Sequence, residues 1–200
     1  HIKLTGQLVY RGPNLKGKVS LSKKILGLGG KHTHVVFKLD KAGILYYNDI
    51  RRFGWIKLIK TAEVETSSFI GKLGPEPLKN LTFEKFKNIA AKYKTPIKQV
   101  LMDQEKIAGI GNIYANDALW LSKIHPQKSA NSLTATEQKK LFEAILTVLK
   151  RGIESGGASE LSFVHVDGTD GNYQNYFLVY GKQGQICSHC KKTKIIKVKL

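Results

Sequence analysis

Hydrophobic positions in the first sixty residues fall in short runs rather than in helical stripes. Leu8-Val9-Tyr10, His34-Val35-Val36-Phe37-Lys38-Leu39, Ile44-Leu45-Tyr46-Tyr47 and Trp55-Ile56-Lys57-Leu58-Ile59 are rich in β-branched and aromatic residues, and Gly- and Lys-bearing turns separate them. The spacing predicts strands, and several short strands of this kind predict a β-sandwich. Residues 24–31 read as a flexible connection. Gly74-Pro75-Glu76-Pro77 marks a boundary, because two prolines around a glutamate continue neither a strand nor a helix.

Beyond that boundary the period changes. Phe83, Phe86, Ile89, Ala90 and Tyr93 recur at three-to-four spacing, with Thr82 as N-cap and Pro96 as the stop. A second helix is expected from about Ile97 to Ile107, a break at Gly109-Ile110-Gly111, and a third helix from about Asn112 to Ser122. Thr134-Ala135-Thr136-Glu137 has the form of a capping box. It opens a helix with Leu141, Ile145, Val148 and Leu149 on one face, ending near Gly156-Gly157. A Gly/Asp-rich loop (Asp167-Gly168-Thr169-Asp170-Gly171), a strand-like Tyr176-Phe177-Leu178-Val179-Tyr180 and Cys187-Ser188-His189-Cys190 follow. No internal repeat is present.

Charge adds a partner to this picture. Lys and Arg number 33 against 15 Asp and Glu, a formal charge of +18. Residues 1–62 hold 13 basic and 2 acidic side chains, residues 63–170 hold 14 and 13, and residues 171–200 hold 6 and none. Two basic ends around a near-neutral middle point to a long polyanion. With 42% hydrophobic residues the chain can build a core, which excludes a disordered basic tail. No apolar run approaches the ~20 residues of a membrane span. Two cysteines make no disulfide scaffold, and no signal-peptide pattern opens the chain, so a soluble intracellular protein is expected. The start, His1-Ile2-Lys3-Leu4-Thr5-Gly6, has no initiator methionine and reads as mid-strand. The end, Lys197-Val198-Lys199-Leu200, is also strand-like, and a piece of a longer protein is expected.

Candidate chemistry is sparse. Gly109-Ile110-Gly111-Asn112 can bring backbone N–H groups and an Asn side chain to an anion at a helix start, or can be an ordinary helix–helix turn. Asp49-Ile50-Arg51-Arg52-Phe53-Gly54 sets arginines beside an aromatic. Arg can bind phosphate or a base edge bidentately, and the ring can stack or wedge between bases, or simply join the core. In extended chain Arg51 and Phe53 project to the same side. His32 and His34 read as polar strand residues, and Lys92, Lys94 and Lys98 as a basic cluster of mostly solvated side chains. Cys187-x-x-Cys190 has the spacing of one zinc knuckle, with His189 facing away from a metal; a free dithiol or redox pair is the alternative. Asp103 and Asp117 read as helix-surface or capping groups, and no nucleophile arrangement stands out.

In series, these motifs resemble the formamidopyrimidine-DNA glycosylase / endonuclease VIII family, and its formamidopyrimidine branch more closely. The residues that carry the resemblance are His1 through Gly6, Asp49 through Gly54, Leu73-Gly74-Pro75-Glu76-Pro77-Leu78, Met102-Asp103-Gln104, Ile107 through Ala115, Ile124-His125-Pro126, Gly156-Gly157-Ala158-Ser159, Val179-Tyr180-Gly181-Lys182 and Cys187-x-x-Cys190. The resemblance implies an α+β protein in three parts: a truncated β-sandwich over 1–72, a helix-two-turns-helix DNA-binding domain with a lesion loop over 73–180, and the first half of a zinc hairpin over 181–200. It implies base-excision repair of oxidised purines such as 8-oxoguanine by base flipping and Schiff-base chemistry, with AP-lyase cleavage. A non-catalytic damaged-DNA-binding protein and an endonuclease VIII-type enzyme for oxidised pyrimidines are the alternatives. The partner implied is damaged double-stranded DNA, met by a monomer in the bacterial cytoplasm at the nucleoid, with no membrane role.

By position, Asn112, Lys98 and His32 would hold backbone phosphates. Leu4, Arg51 and Phe53 would fill the gap left by the flipped base, Arg51 reading the opposing cytosine. The loop from Ser159 to Asn175 would close over the lesion, and Cys187 and Cys190 would be two of four ligands to a structural Zn2+. Leu4 stands where methionine is usual, and Tyr176 where an acidic residue is usual. The catalytic proline, glutamate and lysine of the family would precede His1, so no catalytic residue is expected among these 200, and the segment itself is expected to be inactive.

Overall fold

The computed structural model describes residues 1–13, 15 and 21–198; of the strand-like ending read at Lys197-Val198-Lys199-Leu200, Lys197 and Val198 are not in a strand, and Lys199 and Leu200 lie outside the described residues. Packing divides the chain into two compact units, His1–Ile59 with Gly152–Tyr176, and Lys60–Arg151 with Phe177–Leu200.

In the first unit three strands, β1 (Gly6–Arg11), β2 (Thr33–Lys38) and β3 (Ile44–Asp49), form one antiparallel sheet in the order β1-β3-β2. Within the described residues the expected sandwich is thus a single sheet. β3 is central, pairing Gly6 with Asp49 on one side and Val35 with Tyr47 on the other, with an irregularity between Thr33 and Val35 at His34. Val9, Tyr47, Gln7, Asn48 and Asp49 are buried. Segment 152–176 is pinned to this sheet: Tyr10 N–H donates to the Val166 carbonyl at 2.7 Å, and Gln7 Nε2 donates to Ser162 O at 2.5 Å. The Ser162 hydroxyl donates to Leu4 O at 2.8 Å.

Two strand expectations fail here. Residues 2–5 form a turn closed by Gly6 N–H on Ile2 O at 2.9 Å, not the middle of a strand. Residues 55–59 are not a strand either. Their β-propensity finds a partner only at Trp55, whose N–H donates to His1 O at 3.0 Å, and Leu58 is 98% exposed. A β-forming side chain without a neighbouring strand has little to pack on.

The second unit holds α1 (Phe83–Lys92), α2 (Ile97–Met102), α3 (Asn112–Leu121) and most of α4 (Ala135–Glu154). Thr82 caps α1 by accepting from Lys85 N–H at 3.3 Å. The capping box of α4 is reciprocal: Glu137 N–H donates to Thr134 Oγ1 at 3.2 Å, and Thr134 N–H to Glu137 Oε2 at 2.8 Å. One core joins the helices through Phe86, Ile97, Val100, Leu101, Ile107, Ile110, Ala115, Leu119, Leu141, Ile145 and Val148.

α2 stops at Met102 rather than Ile107. Asp103 leaves helical geometry, its side chain takes Glu105 N–H at 3.0 Å, and its carbonyl takes Lys106 and Ile107 N–H at 3.0 and 2.9 Å. A local aspartate turn thus outcompetes the helix. Nor is 176–180 a strand. Asp117, read from sequence as a surface or capping group, is wholly buried in α3, and its Oδ1 accepts the N–H groups of Leu178 and Val179 at 3.1 Å each. Those donors are the ones a strand would give to its neighbour. At the end of the unit Gly184 and Ile195, then Cys187 and Thr193, pair in a narrow hairpin.

Candidate nucleic-acid interface

The loop before α3 is shaped by one side chain. Gln104 Oε1 accepts Gly109 N–H at 2.9 Å, and its Nε2 donates to the carbonyls of Ile110 at 2.9 Å and Met102 at 3.1 Å. Gly109 sits at φ +86°, a conformation glycine adopts at little cost, and open space surrounds both Gly109 and Gly111 where a Cβ would stand. These glycines therefore fill no packing role; they leave room for a ligand to approach the backbone. Gly111 caps α3 without any side-chain hydrogen bond, so the first-turn N–H groups of a ten-residue helix face outward with the positive end of its dipole. Asn112 is exposed at this start, its Oδ1 accepting from Asn116 Nδ2 at 3.2 Å, an arrangement in which its amide N–H groups can donate to an anion. Lys98, half-buried on α2, has its ammonium pushed below the usual lysine range by desolvation. An anion nearby would reverse that shift.

In the other unit, Arg51 and Phe53 are brought together, though not by extended-chain parity. Arg52 is left-handed at φ 57°, and the turn so formed sets the Arg51 guanidinium 4.5 Å from the Phe53 ring centre. Phe53 is 60% exposed and Leu4 62%, so both apolar side chains stand in water on their turns. Beneath them lies Asp49, which is buried. Burial pushes its carboxyl up, but hydrogen bonds from Thr5 and from the N–H groups of Gly54, Arg51 and Phe53 outweigh this and hold it below the usual range. A Cβ on Gly54 would collide with the hydroxyl of the buried Tyr47, so a larger residue there would have to displace that ring. His32 is half-buried, and its carbonyl takes Asp49 N–H at 2.9 Å. His34, exposed, reaches Asp49 O with Nε2 at 2.7 Å.

Cys187 and Cys190 sit on the knuckle of the hairpin, closed by Lys191 N–H on Cys187 O at 2.8 Å. The Cys190 thiol is lowered to about 6 by hydrogen bonds, first from the Thr193 hydroxyl, then from backbone N–H groups of Lys192 and Thr193, with a smaller contribution from the Cys187 side chain. Two adjacent thiols, one of them readily ionised, suit half of a tetrahedral zinc site. His189 is turned away, its ring stacked on Trp120 at 3.8 Å between centres and 6° between planes. No group of three or more His, Cys, Asp or Glu is gathered for a metal among the described residues. No helix among them is long and apolar enough to cross a membrane.

Sequence reasoning missed Asp49, Gln104 and Asp117 as organisers. Asp49 and Gln104 sit inside motifs whose neighbours drew attention, Asp117 was read as a surface or capping group, and no periodicity marks a buried acceptor.

Comparison with known proteins agrees with this layout. Residues 73–163 match the model of the formamidopyrimidine-DNA glycosylase H2TH domain. The formamidopyrimidine-DNA glycosylase of Streptococcus agalactiae serotype III is 43% identical over 161 residues, 80% of this chain and 59% of that protein. That of Heliobacterium modesticaldum is 37% identical over 191 residues, 95% of this chain and 66% of that protein. The chain thus spans about three fifths to two thirds of the relatives it matches. Among solved structures, Lactococcus lactis Fpg in complex with DNA containing an abasic site superimposes with a TM-score of 0.83 at 33% identity, over 100% of this chain and 69% of that one. The wild-type Lactococcus lactis protein bound to DNA carrying N7-benzyl-Fapy-dG matches equally, over 68% of its length. On sequence, fold and the order of its motifs, the chain belongs to the formamidopyrimidine-DNA glycosylase family.

Proposed function

We propose that the whole protein is a base-excision DNA glycosylase with AP-lyase activity, acting as a monomer on oxidised purines in double-stranded DNA at the bacterial nucleoid. The observation that carries this reading is the exposed Arg51–Phe53 pair on a turn held rigid from below. Leu4 and Phe53 stand exposed on turns joined through Asp49, and such side chains fit a duplex from which one base has been removed. Flipping a base costs a few kcal/mol. Burying Leu4 and Phe53 in the vacated stack returns about 1.5–3 kcal/mol each, which is enough to offset it. Arg51, steered by the ring of Phe53, is the group to read the opposing cytosine through its base-edge acceptors.

The loop before α3, with Asn112 and Lys98, serves as the phosphate clamp, and His32 adds a backbone contact. Segment Ser159–Asn175, tied to β1 through Gln7 and Ser162, serves as the lesion loop. Cys187 and Cys190 would hold a structural Zn2+ as two of its four ligands. Such a metal would supply rigidity to the hairpin and no chemistry. The chemistry of this reading is attack of an amine on the sugar C1′, with the glycosidic electron pair leaving on the base. Within this chain the residues bind, flip and orient, and none is assigned as the nucleophile.

Excision by the whole protein from duplexes carrying 8-oxoguanine or thymine glycol tests the substrate class. Release of 8-oxoguanine opposite cytosine is expected to dominate; faster release of thymine glycol makes it an endonuclease VIII-type enzyme. Tight binding to lesion duplexes without any strand cleavage makes it a damage-binding protein instead. The division of roles has its own measurement. Asn112→Ala is expected to weaken binding to all duplexes alike, by about threefold to tenfold for a lost phosphate contact, whereas Arg51→Ala reduces the preference for cytosine opposite the lesion. Equal loss of preference in both variants would sink this assignment.

A further inference from the structure

Two turns far apart in sequence carry exposed side chains, residues 2–6 with Leu4 and residues 49–54 with Arg51 and Phe53. One buried carboxylate joins them. Asp49 Oδ1 accepts from the Thr5 hydroxyl at 2.5 Å and from Arg51 N–H at 3.2 Å. Its Oδ2 accepts from Gly54 N–H at 2.9 Å and from the Tyr47 hydroxyl at 3.5 Å. Its backbone is equally committed, donating to His32 O at 2.9 Å and accepting from His34 Nε2 at 2.7 Å. A second bridge lies beside it, where Trp55 N–H meets His1 O at 3.0 Å.

A wedge works only if the backbone beneath it does not yield when the side chain is pushed into a base stack. Binding energy is otherwise spent on ordering the loop. A fully hydrogen-bonded buried carboxylate supplies that stiffness, since every donor around it would be left unsatisfied by a movement. Arg52 in the left-handed region shows the turn held in a conformation that a free chain rarely adopts.

We infer that Asp49 is a positioning residue that locks the Leu4 turn and the Arg51–Phe53 turn into one insertion element and so sets the selectivity for the base opposite the lesion. This rests on the reading that these side chains enter the duplex. Asp49 itself is wholly buried and acts through the turns above it.

The test is Asp49→Asn, which keeps the shape and Oδ1 but sets an NH2 group against Gly54 N–H. Binding by the protein is measured to duplexes with a tetrahydrofuran abasic analogue opposite each of the four bases and to undamaged duplex, with thermal denaturation alongside. The preference for cytosine over adenine is expected to fall by about fivefold or more, while affinity for undamaged duplex stays within about twofold. A lowered Tm with unchanged preference makes Asp49 structural only and overturns the inference. So does an equal loss of affinity for every duplex. Should Asp49→Asn fail to fold, Thr5→Val removes only the hydroxyl that links the two turns; it is expected to lower the preference by about twofold to threefold, and an unchanged preference again overturns the idea. Arg51→Ala separates the two levels. If it also keeps the preference, the duplex-insertion reading falls and takes this inference with it; if it loses the preference while Asp49→Asn keeps it, only the role of Asp49 falls.

Discussion

Truncating Phe86 to alanine is expected to destabilise the helical unit by about 3–5 kcal/mol, the cost of removing a large ring from a closed core. Phe86 is wholly buried on α1 and packs tilted against Phe142 of α4, with ring centres 5.8 Å apart. Phe86 belongs to the same buried cluster as Leu101, Ile107 and Ile110, and the last two lie in the loop before α3. The cavity is therefore expected to loosen the loop before α3 as well as the fold. Urea denaturation followed by far-ultraviolet circular dichroism reads the loss, because this unit contains most of the helix. A change below about 1.5 kcal/mol would mean that the site collapses around the missing ring and that Phe86 is not the keystone of the cluster.

Asp117→Ala carries the second large effect, about 2–4 kcal/mol, from two backbone donors left without an acceptor in a partly buried place. Leu178 and Val179 both donate to the same oxygen, Oδ1. An asparagine retains that oxygen, so Asp117→Asn is expected to cost much less than the alanine variant. Equal losses in the two would show that charge, not the two hydrogen bonds, is what Asp117 supplies. The hairpin follows Val179 by a few residues, so the alanine variant is also expected to weaken duplex binding where asparagine does not.

Elements defined by their own residues were readable in advance. The capping box at Thr134 and Glu137, the Thr82 cap and the three-to-four spacing of α1 and α4 are local, and each formed as expected. The failures share a different cause. Residues 55–59 and 176–180 have strand-like composition, but a strand needs a partner, and composition does not report where the partner is. At 176–180 the N–H groups went to Asp117, sixty residues earlier. α2 ended early because Asp103 offers its neighbours a tighter turn than the helix does.

The candidate site was legible in a similar way. Arg51 and Phe53 were paired in advance on a parity argument, and they do meet, but through a left-handed Arg52 rather than an extended chain. Gly109-Ile110-Gly111-Asn112 was readable as an open approach to a helix start. What makes that approach stable is Gln104, whose two amide atoms each find a backbone partner in the loop. Acceptors that organise a turn from beneath leave no period and no spacing, only a polar residue that later proves to be buried. Gln104, Asp49 and Asp117 all belong to that class.

The stack of Trp120 on His189 also gives the protein its own optical reporter. The chain has two tryptophans, Trp55 and Trp120, and they fall in different compact units. An indole lying flat on an imidazole at 3.8 Å has a neighbour that alters its emission, and that neighbour sits between the two cysteines of the knuckle. With Trp55 replaced by phenylalanine, the remaining fluorescence follows whether the hairpin is seated on α3. With Trp120 replaced, the signal comes from beside the Asp49 turn. Titrating duplex or zinc into each single-tryptophan protein then shows which unit responds first, without attaching a label to either.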